Sequence, residues 1–261
     1  FKGFKYGWID IIEKGFSFGL LDTFNPIFLK PKLWVDPSDT STLFQDAAGT
    51  VPVASAGDPV GLVLDKSGNG NHLTAPSDAA RPVYQTDGTY HWLQFDGVDD
   101  QLEAATRFGL VANPALLVVS GVRPISYYAA NNRIWHIGAT NTFKTISGAL
   151  GTDGLSWRHN NGFRKFEVIP VGSDYVLTHS RQAGDTYGDQ LGFVNGAASA
   201  ETSSGNPNFT PSSTEAQFYL GSRGGEHLNM RLYSLTIMGE HTAAQQSQLE
   251  RWTSRKAGVT L

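Results

Sequence analysis

The sequence predicts an all-β protein, built as an antiparallel sandwich of short strands. Apolar stretches of three to ten residues follow one another along most of the chain, with turn residues between them and no intervening helices. The chain has 29 glycines and 12 prolines among its 261 residues, which supplies the turns. Because 40% of the residues are hydrophobic and 11% are aromatic, the chain can also bury a large core.

The strands are predicted in order from the turns that end them and from their alternation. LWV (33–35) runs into an Asp-Pro-Ser-Asp turn or helix start, and VGLVLD (60–65) ends before Asn69-Gly70, a strong tight-turn signal. Along 231–238 apolar and polar residues alternate, which predicts one face turned toward a core. The other predicted strands are 92–96, 115–124, 133–139, 143–150, 154–159, 164–171, 175–182, 190–196 and 216–222.

One helix is predicted near the C-terminus. Thr242, followed three residues later by Gln245, is the sequence signature of a capping box. Leu249 and Trp252 form an apolar i, i+3 pair that should hold the helix against the outside of the sandwich. Basic residues in the last turns and a glycine beyond them favour a helix end there: Arg251, Arg255, Lys256 and Gly258.

The first 32 residues differ from the rest of the chain. They carry eight aromatic side chains and five lysines against three acids, with neither a helical nor a strand period. They form either one or two edge strands of the following domain, or an arm that buries aromatic rings against another subunit. We expect the arm, because so many rings are hard to hide on a short segment. Its partner-binding residues would be Trp8, Phe16, Phe18, Phe24 and Phe28.

Several segments carry a family resemblance. They are LWVDPSDTSTLFQD (33–46), DKSGNGNH (65–72), RPVY (81–84), FDGVDDQL (95–102), FVNG (193–196), FYLGSRG (218–224) and the last strand with its helix. Together they resemble a laminin-G-like, concanavalin A-like jelly-roll domain of the kind found in bacteriophage tail, fibre or capsid-associated proteins. The resemblance covers 33–261 and implies a jelly-roll sandwich there, which leaves 1–32 as a separate arm.

No catalytic signature accompanies this resemblance. Glucanases that share the fold carry Glu-x-Asp-x-Glu on one strand, and none of the eight glutamates here has that arrangement. The sequence also lacks G-x-S-x-G, P-loop and H-E-x-x-H motifs, and the absence of cysteine excludes thiol catalysis and disulfides. We therefore expect no enzymatic activity, with a polysaccharide depolymerase that uses an unrecognised acid pair as a further alternative.

Asp96, Asp99 and Asp100 form the tightest group of carboxylates in the sequence. Calcium prefers six to eight oxygen ligands, often carboxylates and loop carbonyls, so these residues are candidate calcium ligands. Laminin-G-like domains often bind calcium at a loop rim, and the resemblance therefore favours this interpretation. Alternatively, Asp96 and Asp99 accept backbone N–H bonds and cap a tight turn. No other cofactor is expected.

A sugar site needs aromatic rings beside hydrogen-bonding side chains, because sugars stack on rings through their C–H faces. Tyr127 and Tyr128 are the best candidates, with Asn131 and Arg133 beside them, since their loop is polar on its far side. This cluster is the predicted carbohydrate-binding site.

These observations predict a non-enzymatic virion structural protein, anchored by its arm to capsid or tail proteins and displaying a lectin-like domain. The alternative is a glycan-binding adhesin that recognises a host surface polysaccharide. A net charge of −4 without a Lys/Arg block argues against nucleic acid as partner. The chain lacks an apolar run of about 18 residues, so no membrane span is expected. Homo-oligomerisation is left open.

Overall fold

The computed structural model describes residues 24–106, 108–110, 114–127, 132–138, 146–151, 154–159, 162–205, 217–222 and 224–261. Within these ranges the chain forms two antiparallel sheets, which confirms the predicted jelly-roll sandwich class. The first is an eight-stranded sheet: β1 (Leu33–Val35), β5 (Val83–Thr86), β6 (His91–Asp96), β8 (Leu116–Ser126), β13 (Tyr175–Arg181), β14 (Leu191–Val194), β15 (Ala197–Ala198) and β18 (Asn229–Met238). Their order is β15-β14-β13-β8-β18-β6-β5, and β1 pairs with the C-terminal half of β18.

The second sheet has ten strands within the described ranges. They are β2 (Leu43–Phe44), β3 (Leu62–Val63), β4 (Leu73–Thr74), β7 (Leu102–Ala104), β9 (Asn132–Ile137), β10 (Ile146–Leu150), β11 (Ser156–His159), β12 (Gly162–Lys165), β16 (Ser203–Gly205) and β17 (Phe218–Leu220). Their order is β16-β12-β11-β10-β9-β17-β7-β4-β3-β2. A short 3-10 helix at Pro26–Leu29 precedes β1, and two others, at Thr40–Thr42 and Tyr187–Asp189, lie between strands.

The core lies between the two sheets and follows from strand alternation. On β8, Leu116 and Val118 point into the core, while Leu117 and Val119 point to the opposite face. Both faces of β8 are buried, because a helix covers the outside of the eight-stranded sheet. The alternation predicted for 231–238 is interrupted by a register shift on β18, where the pairing with β8 is irregular.

The predicted C-terminal helix is confirmed as α1 (Ala243–Ala257). The Gln245 N–H donates to Thr242 Oγ1 at 3.2 Å, and the Thr242 N–H donates to Gln245 Oε1 at 2.8 Å, which completes the capping box. Leu249 packs against the outer face of β8, and the Trp252 ring meets Trp34 edge-on at 5.6 Å. No helix in the described ranges is long and apolar enough to cross a membrane.

The DKSGNGNH segment serves the fold rather than a ligand. The Asp65 carboxylate accepts hydrogen bonds from the N–H groups of Trp34 at 3.0 Å, Ser67 at 2.8 Å and Asn71 at 3.0 Å. Asn71 Nδ2 in turn donates to the Lys32 carbonyl oxygen at 2.7 Å. These bonds hold β1 against the turn, so the motif has a structural role in the fold.

Residues 24–32 lie along the sandwich. Phe24 and Leu29 pack against the apolar cluster under α1, and the Lys32 N–H donates to the Ile237 carbonyl oxygen at 2.7 Å. Phe28, by contrast, is 74% exposed. Trp8, Phe16 and Phe18 of the predicted arm lie outside the described residues, so the arm and its boundary at residue 32 stay predictions.

Candidate functional site

One row of side chains crosses the outer face of the ten-stranded sheet. Strand register aligns each member with the next, from β12 through β11, β10, β9 and β17 to β7. Since neighbouring strands lie about 4.8 Å apart, the five steps span ~24 Å. We call this set the cross-strand row; its members in order are Phe163, Arg158, Ser147, His136, Tyr219 and Glu103.

The row faces away from the core because the residues next to its members point inward. Trp135 and Ile137 flank His136 on β9, and both belong to the core. Trp157 precedes Arg158 on β11 and is also in the core, where its Nε1 donates to the Leu191 carbonyl oxygen at 2.9 Å. The period of two along each strand therefore places polar and aromatic groups together on the opposite face.

One end of the row is aromatic and cationic. The Phe163 ring has the Arg158 guanidinium 5.7 Å from its centroid and Lys165 Nζ 5.1 Å from it. Gly205 pairs with Phe163 across the β12–β16 ladder, and a Cβ on that glycine would lie 2.5 Å from the ring. The glycine thus leaves the space that the Phe163 ring occupies.

The other end joins two rings to a carboxylate. The His136 and Tyr219 rings lie 5.8 Å apart and are tilted by 35°. Burial, and secondly the Glu103 carboxylate, raises the pKa of Tyr219 above its ordinary value, so the phenol keeps its proton at neutral pH. Glu103 Oε2 accepts a hydrogen bond from Gln101 Nε2 at 3.0 Å. This end therefore offers a ring face, a donor and an acceptor.

Arg133, predicted to bind sugar, lies on the same outer face. It pairs with Ala149, beside the cross-strand row, and a register shift in the β9–β10 ladder sets it there. Its side chain is buried, and Nη2 lies 3.3 Å from Glu226 Oε2. Two strands away, on β11, Arg158 Nε donates to Ser156 Oγ at 3.2 Å. Ion pairing and hydrogen bonding thus restrain the arginines of this face.

Tyr127 lies elsewhere and does not fit the expectation of an exposed stacking ring. It is partly buried against the core, and its hydroxyl donates to the Ile169 carbonyl oxygen at 2.6 Å. Burial raises the pKa of its phenol well above the ordinary value. The placement is that of a structural tyrosine. Tyr128 and Asn131 lie outside the described residues.

Asp96, Asp99 and Asp100 do come together, as the sequence predicts. Each offers a carboxylate oxygen, and these oxygens all lie within 4.8 Å of one another. Asp96 Oδ1 accepts the Val98 N–H at 2.7 Å and the Asp99 N–H at 3.3 Å, so Asp96 has the turn-capping role foreseen as the alternative, whereas Asp99 contributes its backbone N–H to the turn. Gly97 has φ 79°, and a Cβ there would lie 2.8 Å from Asn229 Cβ, so the tight turn requires glycine.

Asp100 is the buried member of this group. Its Oδ2 accepts the Asp96 N–H at 2.7 Å. Burial raises the pKa of its carboxyl to about 7, and the charges of Asp96 and Asp99 add to the effect. The Asp99 carboxylate and Asp96 Oδ2 suit a hard cation. Asp96 Oδ1 and Asp100 Oδ2, however, already accept backbone hydrogen bonds. The residues fit a calcium ion only with further oxygen ligands, and calcium binding stays a prediction.

Comparison with known proteins finds solved structures of similar fold. No model of a known protein family matches the chain, and no curated protein sequence matches it. Domain 4 of AbnA, a GH43 extracellular arabinanase from Geobacillus stearothermophilus solved with arabinotriose, matches with a TM-score of 0.52 and 20% identity. That match covers 71% of this chain and 91% of the AbnA domain.

Two other solved structures resemble the chain over more of its length. The botulinum neurotoxin serotype G binding domain matches at 12% identity and TM-score 0.57, covering 86% of this chain and 51% of that one. A Trypanosoma rangeli sialidase matches at 11% identity and TM-score 0.54, covering 88% of this chain and 33% of that one. The chain thus spans about a third of the sialidase. At these identities the similarity shows a common β-sandwich fold and nothing finer.

Proposed function

We propose that the chain is a non-enzymatic glycan-binding domain, with the cross-strand row as its binding face. The observation that carries this proposal is the placement of Phe163 and Tyr219 on one face, four strand steps or ~19 Å apart. Arg158, Ser147 and His136 lie between them. Ser147 and His136 are buried, at 2% and 0% exposed, so the groups of this stretch that can meet a ligand are the two rings and the partly exposed Arg158. Two rings at this separation, with a cation between them, suit an extended oligosaccharide rather than one sugar.

The AbnA domain supports this proposal. It is about the size of this chain's sandwich, it has the same fold, and its structure contains an arabinotriose. A sandwich of this kind can therefore hold a trisaccharide. The identity of the glycan recognised by this chain is a separate question, since 20% identity transfers no specificity.

The test is binding to a panel of bacterial and plant oligosaccharides, followed by calorimetry on any ligand found. We expect Tyr219→Ala and Phe163→Ala each to weaken binding by about tenfold or more, equivalent to ~1.4 kcal/mol, because each removes one stacking surface. Tyr127→Phe is the matched control and should bind as the unmodified chain does. If no glycan binds, or if both alanine variants bind normally, the face is not a glycan site.

The absence of catalysis is part of the proposal. Glycosidases need two carboxyl groups either about 5–5.5 Å or about 6.5–9.5 Å apart across the scissile bond. Among the described members of the cross-strand row, Glu103 alone is acidic, and the nearby Glu226 is paired with Arg133. Incubation with the bound polysaccharide should therefore release no oligosaccharides. Release that stops in Glu103→Gln would instead identify a depolymerase.

We propose attachment to a larger assembly as a second function, in which residues 1–32 dock onto capsid or tail proteins of a virion. Phe28 supports this proposal. Its ring is 74% exposed, whereas the nearby Phe24 packs against the sandwich, so the Phe28 ring is accessible to a partner. Deleting residues 1–23 keeps the Phe24 and Leu29 contacts and should leave a folded, glycan-binding domain that no longer joins particles. Assembly by that truncated chain carrying Phe28→Ala would refute the arm.

A further inference from the structure

A pocket of about 460 Å³ lies between α1 and the β14–β15 turn, on the opposite side of the sandwich from the cross-strand row. We call it the helix pocket. Its lining consists of residues 195–197 of the turn, Leu261, and three residues of α1, namely Ser247, Glu250 and Arg251. Two charged side chains of opposite sign therefore meet polar groups of the turn in one cavity.

The turn that forms one wall of the helix pocket is fixed by its own sequence. Val194 pairs with Ala197, which leaves Asn195-Gly196 as a two-residue connection. Both residues have positive φ, 51° and 76°, the conformation for which tight hairpins favour Asn-Gly. Asn195 also holds the turn to β13, because its Oδ1 accepts the Val176 N–H at 2.9 Å. This wall is therefore formed before any ligand arrives.

Glu250 brings a carboxylate oxygen to the helix pocket, although the residue is only 3% exposed. Its Oε1 accepts hydrogen bonds from Thr178 Oγ1 at 2.8 Å and from Gln246 Nε2 at 3.0 Å. Its Oε2 accepts none among the described residues, yet it is not sealed from solvent, so it faces the pocket. A carboxylate oxygen in such a buried place is best satisfied by a cationic donor.

Arg251 brings the opposite charge to the same pocket. Within the described part of the chain, its exposed guanidinium has neither a hydrogen-bond acceptor nor a carboxylate partner. It does not pair with Glu250, because consecutive helix positions point about 100° apart. The two charges are nonetheless close. Burial raises the pKa of the Glu250 carboxyl, and the nearby Arg251 charge opposes that effect.

We propose that the helix pocket binds a small zwitterion of the amino-acid type. Its ammonium group donates to Glu250 Oε2, and its carboxylate accepts from the Arg251 guanidinium. Leu261, which is 46% exposed, offers apolar surface to the side chain of the ligand. A simple cation or anion satisfies only one of the two charges. The site is independent of the cross-strand row, so it can exist whether or not that face binds glycans.

The test is an NMR titration of the full chain at constant pH and ionic strength, followed at the backbone amide signals of Gly196 and Ser247. The probes are glycine and L-leucine as zwitterions, methylammonium chloride as the cation alone and sodium acetate as the anion alone. Sodium chloride is the control for general screening. We expect saturable shifts with at least one of the two amino acids, at concentrations about tenfold lower than either single-charge probe requires.

Two substitutions assign the contacts. Arg251→Gln removes the guanidinium from an exposed position and should weaken amino-acid binding by about tenfold. Glu250→Gln should weaken it at least as much, because the amide keeps one oxygen for the Thr178 hydroxyl and replaces the other with an N–H donor. If Glu250→Gln does not fold, Arg251→Gln decides alone.

Arg255→Gln is the matched control, because Arg255 is exposed on α1 one turn later and does not line the helix pocket. It should titrate like the unmodified chain. Shifts that rise linearly and equal those with chloride would overturn the proposal. So would equal affinity for the amino acids and the single-charge probes, or unchanged affinity in Arg251→Gln. None of these results would affect the glycan proposal, which is measured at Tyr219 and Phe163.

Discussion

His179 Nε2 lies 3.2 Å from the carbonyl oxygen of Ser156, and this contact joins the two sheets through the core. His179 belongs to β13 of the eight-stranded sheet, and Ser156 to β11 of the ten-stranded sheet. The imidazole also meets the rings of Trp135 and Trp157 edge-on, at 5.4 Å and 5.3 Å. A polar side chain is thus placed between two tryptophans directly beneath the outer face that carries Arg158 and His136.

Acid should destabilise the protein through His179. Burial lowers the pKa of His179 to about 4, whereas an exposed histidine titrates near ~6.5. Between these values His179 is protonated in the unfolded chain but neutral in the folded chain. The free energy of unfolding therefore falls as pH drops from about 6.5 to about 4. We expect a loss of up to ~3 kcal/mol, measured by urea unfolding across this range.

His179→Gln tests the assignment, because glutamine can donate to the Ser156 carbonyl oxygen but does not titrate. The variant should be less stable near neutral pH, since it loses the ring contacts, and should show a flatter dependence on pH below about 6.5. An acid-side slope equal to that of the unmodified chain would assign the effect to other groups.

Gly148→Ala should disrupt the same cluster. A Cβ at Gly148 would lie 2.6 Å from His179 Cε1 and would also clash with Trp135 Nε1. The rings cannot withdraw from a packed core, so we expect a loss of about 1–3 kcal/mol or more in the free energy of unfolding. Gly239→Ala is the control, because the nearest atom to a Cβ there is 3.7 Å away. Equal denaturation midpoints for both variants would contradict this account of the cluster.

The parts of the structure that depend on local sequence are those that the sequence predicts. The capping box at Thr242 is encoded within a few residues, and the helix follows from it. The Asn69-Gly70 signal does not form a two-residue hairpin turn, because β3 and β4 are joined by residues 64–72 and the turn lies at 66–67. The cross-strand row depends instead on the register of six strands, which local patterns do not specify. Tyr127 illustrates the same limit, because its hydroxyl is bonded to a carbonyl 42 residues later in the chain.

Asp100→Asn should stabilise the protein above neutral pH. Because burial raises the pKa of Asp100 to about 7, the folded chain keeps a proton that the unfolded chain loses above about pH 4. Its favourable contribution is present below about pH 4 and is lost as pH rises through 7. Asparagine keeps an oxygen to accept the Asp96 N–H, so we expect a gain of about 1–4 kcal/mol at pH ~8 and little change at pH ~4.

The measurement for Asp100→Asn is urea unfolding at both pH values in the presence of EDTA, so that no metal contributes. Asp99→Asn is the control, because Asp99 is exposed on the same turn. A variant of Asp100 that is less stable at high pH than the unmodified chain would show that the carboxylate charge supports the turn.

Calcium addition decides between the two interpretations of this aspartate group. If the carboxylates of Asp96, Asp99 and Asp100 bind calcium, calcium chloride should raise the melting temperature relative to EDTA, since a ligand that binds only the folded state stabilises it. At about a hundred times the dissociation constant the gain is ~2.7 kcal/mol. Magnesium should have a smaller effect, because it demands a tighter octahedral geometry.

Asp99→Asn should reduce the calcium effect while leaving the turn bonds of Asp96 in place. An unchanged melting temperature would leave these residues with the turn-capping role alone.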